Sequence, residues 1–161
     1  MQREDVVELR YVMQQFIRSF GLLEQTKTPC GFSLSLSQVF ALQELEKTTL
    51  TITELAARLQ LERSSVSRLI EGLVKGGFVS RELNESNRRE VVLTLTGKGK
   101  SSIHRVRDQS VAFYQSILAR MSEEEQAQFA ASFKRFTASL TDVRKDTGEA
   151  GRAADAEGGE V

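Results

Sequence analysis

Residues 51–78 read "TITELAARLQLERSSVSRLIEGLVKGGF". Two helices are legible in this stretch, with almost nothing between them. Thr51 and Glu54 have the spacing of a capping box, in which the side chains satisfy backbone N–H groups that a helix start leaves unpaired. Leu50 and Leu55 flank that start as a hydrophobic staple. The first helix therefore covers about 52–60. Leu61-Glu62 leaves room only for a turn, and the second helix covers 63–75, ended by Gly76-Gly77. Val66, Leu69, Ile70, Leu73 and Val74 share one face of this second helix. Ser64, Arg68, Glu71 and Lys75 share the opposite face.

The flanks extend the pattern. Upstream, "SLSQ" repeats the capping box with Ser35 and Gln38, with Leu34 and Val39 as its staple, and predicts a helix over 37–47. Downstream, "FVSREL" and "EVVLTLT" are two β-like runs around "NESN", a two-stranded hairpin. Thr96 is a candidate cap for a long helix through "GKGK", with Ile103, Val106, Phe113, Ile117 and Met121 on its stripe. "SEEE", with Ser122 and Glu125, starts another. There Phe129, Phe133, Phe136, Leu140 and Val143 recur at spacings suited to helix-on-helix packing, including packing on a second chain. Near the N-terminus, Val6, Leu9, Met13, Phe16, Ile17 and Phe20 form one more stripe, with Gly21 as its stop. The expected organisation is a single domain over 1–145 and a disordered acidic tail over 146–161, which has nothing to bury.

Composition narrows the function classes. The 161 residues suffice for one domain with a real core. No apolar run is long enough to span a membrane, and the charged "MQREDVVELR" does not resemble a secretory signal, so a cytoplasmic protein is expected. Cys30 and His104 are the only Cys and His, which leaves no closed structural zinc site. No set of nucleophile, base and oxyanion donors can be assembled, so neither an enzyme nor a bound cofactor is expected. The net charge is zero, but it is unevenly placed. Between 61 and 100, Arg63, Arg68, Lys75, Arg81, Arg88, Arg89, Lys98 and Lys100 stand against Glu62, Glu71, Glu82, Glu85 and Glu90. Between 146 and 161, Arg152 stands against Asp146, Glu149, Asp155, Glu157 and Glu160. The acidic end masks a basic middle that a polyanion would meet.

A helix, a capped helix, a tight turn, a second helix and a hairpin make a helix-turn-helix followed by a wing. A helix that enters the major groove of DNA must bury one face in its own domain and present short polar or long basic groups on the other. Ser64, Ser65, Ser67 and Arg68 meet that requirement. A solvated amphipathic helix would show the same face in isolation, and the order of the surrounding elements favours DNA. A winged-helix adaptor that does not read sequence is the alternative, and it would more plausibly expose apolar residues there.

The segment from "LSLSQVFALQEL" through "TITELAARLQL", "SSVSRLIEGLVKGGFVSR" and "NRREVVLTLTGKGK" resembles the winged helix-turn-helix of the MarR family of bacterial transcription regulators, over about residues 34–100. The fold implied is mainly α with a small two-stranded β wing, flanked by dimerisation helices at about 2–22 and 97–145. The resemblance also implies a homodimer on double-stranded DNA, with recognition helices in successive major grooves and wings in adjacent minor grooves. Family members are mostly repressors, released by a small-molecule effector or by oxidation. Carried over by position, Ser64, Ser65, Ser67 and Arg68 contact bases and phosphates. Arg89 takes the wing-tip position that enters the minor groove, where a guanidinium suits the focused negative potential. Arg88 takes a phosphate. The family usually has Asp before the two arginines and this chain has Asn87, which keeps the turn chemistry but cannot form an ion pair. Some relatives with a similar N-terminal half continue into an acetyltransferase domain. No glycine-rich loop follows residue 100, so that activity is not expected.

Other residues carry weaker readings. Cys30 follows the first helix, with Lys27 near it. An ordinary thiol is the bland reading, and a thiol-based oxidant sensor is the third functional reading. His104, in the first turns of the helix after the wing, reads as a surface or partly packed histidine. Tyr11 and Tyr114 lie close to their helices' apolar stripes and read as core or interface.

Overall fold

The structure is a computed structural model that describes residues 1–23, 28, 33–83 and 91–157, with side chains through residue 147. Its elements are α1 (Arg3–Ser19), α2 (Leu36–Lys47), α3 (Ile52–Leu59), α4 (Arg63–Lys75), β1 (Val79–Leu83), β2 (Val91–Leu95), α5 (Gly97–Leu118) and α6 (Glu123–Glu157). They divide into two units, Met1–Phe113 and Tyr114–Val161. The reason lies in burial: every buried hydrophobic residue among those described falls between Leu34 and Val106.

The predicted helix starts are formed by the chemistry expected of them. Ser35 Oγ accepts from the Gln38 amide at 3.2 Å, and the Gln38 side chain accepts from the Ser35 amide at 2.9 Å. Thr51 and Glu54 do the same at 3.2 and 2.8 Å, and Ser122 and Glu125 at 3.3 and 2.8 Å. Thr96 Oγ1 accepts from the Gly99 amide at 3.1 Å and so caps α5. Both staple pairs, Leu34 with Val39 and Leu50 with Leu55, lie in the core. At the end of α4, Phe78 N–H donates to the Leu73 carbonyl and Gly77 N–H to that of Val74, both at 2.9 Å. This termination needs the left-handed backbone of Gly77, at φ +75°. Gly21, at φ +76°, ends the first helical segment in the same way.

Leu42, Leu55, Val66, Ile70, Leu73, Leu93, Ile103 and Val106 are the large apolar side chains that are fully buried. They come from α2, α3, α4, β2 and the first turns of α5, so the wing root and the head of α5 share one core with the helix-turn-helix. β1 and β2 pair antiparallel, with Val79 opposite Leu95 and Arg81 opposite Leu93. Leu93 also pairs with Leu50, its amide donating to the Leu50 carbonyl at 2.8 Å, which ties the α2–α3 connection to the wing. Gly99 is required where α5 passes the wing root. A Cβ there would stand 2.2 Å from the Phe78 carbonyl oxygen.

α1 buries none of its residues, and Val6, Leu9, Tyr11, Val12 and Phe16 are exposed. In the second unit, Gln126 Nε2 donates to the Leu118 and Met121 carbonyls at 3.0 and 3.1 Å and closes the turn into α6. Along α6, Phe129, Phe133, Phe136, Leu140 and Val143 are all exposed. The α6 backbone is helical to Glu157. Alanine and glutamate are good helix formers, and extending an existing helix avoids the cost of nucleation.

Candidate nucleic-acid interface

The turn between α3 and α4 is made by backbone geometry that no glycine supplies. Gln60 takes φ +55°, the only non-glycine residue with positive φ among those described. Its amide donates to the Ala57 carbonyl at 3.3 Å, and that of Leu61 to Ala56 at 3.1 Å. A non-glycine residue held there costs on the order of 1–3 kcal/mol, offset by satisfying the last carbonyls of α3. The chain then enters α4 through Leu61 and Glu62 alone. Glu62 is the N-cap of α4, but its side chain makes no capping hydrogen bond. α2, α3 and α6 each begin with a side-chain cap, whereas the first amides of α4 have none. Uncapped amides at a helix start favour an anion.

Val66, Ile70 and Leu73 hold α4 to the core, and Leu69 and Val74 are partly buried against it. Ser64, Arg68, Glu71 and Lys75 are exposed, as their spacing predicts. The serines are not equivalent. Ser64 is open to solvent, while Ser65 and Ser67 sit half-buried at the edges of the face. Ser64, Ser65, Ser67 and Arg68 thus occupy the first two turns of one helix.

The basic residues divide by what holds them. Lys98 donates to the Gly76 carbonyl at 2.7 Å and lies 4.5 Å from the centre of the Phe78 ring, so it caps the C-terminus of α4. Arg58 pairs with Glu44 at 3.1 Å and Arg107 pairs with Glu46. Lys47, and after it Arg58, holds the Glu44 carboxyl below its ordinary pKa, so this tie between α2 and α3 stays ionised into mild acid. Arg63, Arg68, Lys75 and Arg81 form no ion pair among the described residues. On the wing, Thr94 Oγ1 donates to Glu82 at 2.7 Å and Ser80 Oγ at 3.0 Å. Thr94, and after it Ser80, holds that carboxyl below its ordinary range.

Arg63 was not singled out by periodicity. It is exposed at the first position of α4, where the helix dipole favours an acid. A cation beside uncapped amides is the local signal that points to it. Arg88 and Arg89, with Asn87, lie outside the described residues, and so does Cys30. His104 is exposed, as are Tyr11 and Tyr114. Among the described residues, no cluster of three His, Cys, Asp or Glu could hold a metal, and no helix is long and apolar enough to cross a membrane.

Known proteins repeat this arrangement. The model of the MarR family matches residues 34–91, the helix-turn-helix and most of the wing. The transcriptional repressor YetL of Bacillus subtilis is 25% identical over 122 residues, covering 76% of this chain and 68% of YetL. The transcriptional regulator BilQ of Clostridium symbiosum is 31% identical over 75 residues, covering 47% of this chain and 52% of BilQ. The chain therefore spans about half to two thirds of these relatives' length. The crystal structure of YusO from Bacillus subtilis superposes with a TM-score of 0.60 at 24% identity, over 88% of this chain and 99% of that one. With a family model matched over residues 34–91 and a matching fold and order of elements, this segment is similar to the MarR family of winged helix-turn-helix transcription regulators.

Proposed function

We propose that this protein is a sequence-specific DNA-binding transcription regulator that acts as a homodimer on a pseudo-palindromic operator. The observation that carries this reading is the exposed start of α4. Ser64 and Arg68, which forms no ion pair among the described residues, project from a helix whose other face is locked into the core. Arg68 reaches a base edge or a phosphate, and the serines let the backbone approach. Arg63 and the uncapped α4 amides meet the backbone phosphates. Arg89 enters the adjacent minor groove and Arg88 takes a phosphate. Dimerisation uses the apolar stripes of α1, α5 and α6, which are exposed in the single chain. Two recognition helices then face half-sites about 34–36 Å apart, one duplex turn. The repressor named among its relatives favours repression. A small effector releases the DNA by favouring a head spacing that no longer matches the two grooves, a population shift.

Genomic footprinting supplies the operator, and Arg68→Ala and Ser67→Ala are then compared on operator and on random DNA. Base readout predicts a larger loss on operator, about 1–3 kcal/mol per lost contact. Equal losses on both DNAs would contradict it. Arg89→Ala should lower the salt slope of operator binding by about one unit.

A further inference from the structure

The passage from α4 into the wing runs through Gly76, Gly77 and Phe78, and its adjacent glycines leave the backbone little restricted of itself. A second short segment, Thr96 to Gly99, closes on it at the head of α5. Lys98 Nζ donates to the Gly76 carbonyl and Thr96 Oγ1 to that of Gly77, both at 2.7 Å. The Thr96 amide donates to the Phe78 carbonyl at 3.1 Å. The Lys98 ammonium also stands 4.5 Å from the centre of the Phe78 ring, a cation–π contact. Each carbonyl of the passage thus takes a donor from the same segment. The two side chains differ in what else they hold. Thr96 Oγ1 also accepts from the Gly99 amide and caps α5, so it belongs to the fold. Lys98 is exposed, and the contacts of its ammonium among the described residues lie on this passage. Its charge faces the negative end of the α4 dipole.

We propose that Lys98 is a positioning residue for DNA reading: its ammonium locks the glycine joint and so fixes the angle at which the wing leaves α4. Without it, water hydrates the Gly76 carbonyl and the joint keeps only the Thr96 bonds. Major-groove contacts from α4 and minor-groove contacts from the wing form together only at one such angle. A joint already set in the free protein leaves less freedom to be lost on binding, and so tightens the specific complex. Random DNA is held through phosphate contacts, which do not require both elements to be in register. This role rests on the reading of α4 and the wing as DNA contacts; the clasp itself does not.

Lys98→Met keeps the apolar stem and removes the donor, while Lys98→Arg keeps both charge and donor. In the full-length protein without DNA, amide hydrogen exchange at Gly77 and Phe78 should quicken about tenfold in Lys98→Met, the loss of one charge-assisted hydrogen bond, and stay near wild type in Lys98→Arg. On the footprinted operator, Lys98→Met should bind about tenfold more weakly, and Lys98→Arg should restore most of that loss. Affinity for random DNA and the salt slope of operator binding should not change. A slope lower by about one unit would make Lys98 a phosphate contact and overturn the proposal. So would unchanged operator affinity in Lys98→Met, or an equal loss in Lys98→Arg. Unchanged exchange in Lys98→Met would overturn the clasp whatever the DNA result. A wild-type protein that prefers no DNA sequence would instead overturn the regulator reading, and with it the role on DNA, while the clasp is judged by exchange.

Discussion

Two regions of this chain treat their apolar residues in opposite ways. Between Leu34 and Val106 the large side chains close on one another, and eight of them from five elements are fully buried. Along α6 the same residue types recur at equally regular spacing, yet Phe129, Phe133, Phe136, Leu140 and Val143 all remain exposed. Periodicity is therefore not burial. A stripe is a requirement for a partner, and the first region finds that partner within its own chain. α1 resembles α6 in this respect, because it buries nothing. A head that is complete by itself, with helices that are not, is the form expected of a subunit that reads DNA with one part and pairs with the other.

The largest effect should come from opening the closed region. Leu42→Ala removes a fully buried side chain from the centre of the core. It should cost about 2–5 kcal/mol in chemical denaturation. A loss well below that would mean the head is less tightly closed than its burial indicates. Next comes the open region. Phe133→Asp should raise the dimer dissociation constant by at least about thirtyfold, near 2 kcal/mol, as measured by sedimentation. The denaturation midpoint of the head, compared at a concentration where both proteins are monomeric, should not move. A dimer unaffected by the substitution would remove the α6 stripe from the interface.

A smaller effect, of opposite sign, sharpens the picture of the core. Ser102 Oγ is buried without a hydrogen-bond partner among the described residues. Ser102→Ala should therefore stabilise the protein, by up to about 1 kcal/mol. Clear destabilisation would reveal a partner for that hydroxyl. The smallest effect compares two capping boxes within the head. Glu54 closes the box of α3, and the Thr51 backbone N–H, followed by the Thr51 hydroxyl, holds its carboxyl below the ordinary value of 4.5. A depressed carboxyl contributes stability above its unfolded pKa and loses it as pH falls through the folded one. Glu54→Gln should therefore lower stability at neutral pH and cease to matter in acid below the ordinary carboxylate range. The box of α2 uses Gln38 and has no carboxylate to titrate. An equal penalty for Glu54→Gln at both pH values would show that charge is irrelevant to the α3 box.

Much of the fold was legible because its signals are local. Ser35, Thr51, Thr96 and Ser122 each cap a helix by bonding an amide three residues on, a geometry independent of the rest of the chain. The apolar face of α4 followed from periodicity for the same reason, and so did its exposed face of Ser64 and Arg68. Several features are not local and were not legible. Leu50 pairs with Leu93 from 43 positions away. Lys98, which counts as free basic charge in the composition, caps α4 across 22 residues. Gln60 takes a left-handed turn that glycine usually marks, so no residue type announced it. Within the candidate site, the half-burial of Ser65 and Ser67 depends on neighbouring elements, which spacing along a single helix cannot supply.

By itself, then, the sequence determined where helices start and stop, which face of each is apolar, and which polar face follows the turn. These rest on backbone bonds closed within a few residues and on the helical repeat. Only the tertiary structure decided which apolar faces are covered, which cations are already engaged, and that the wing root, α2 and α5 border an open cavity beside Lys100. Burial, ion pairing across elements and surface cavities are properties of groups brought together from distant positions. No local spacing encodes them.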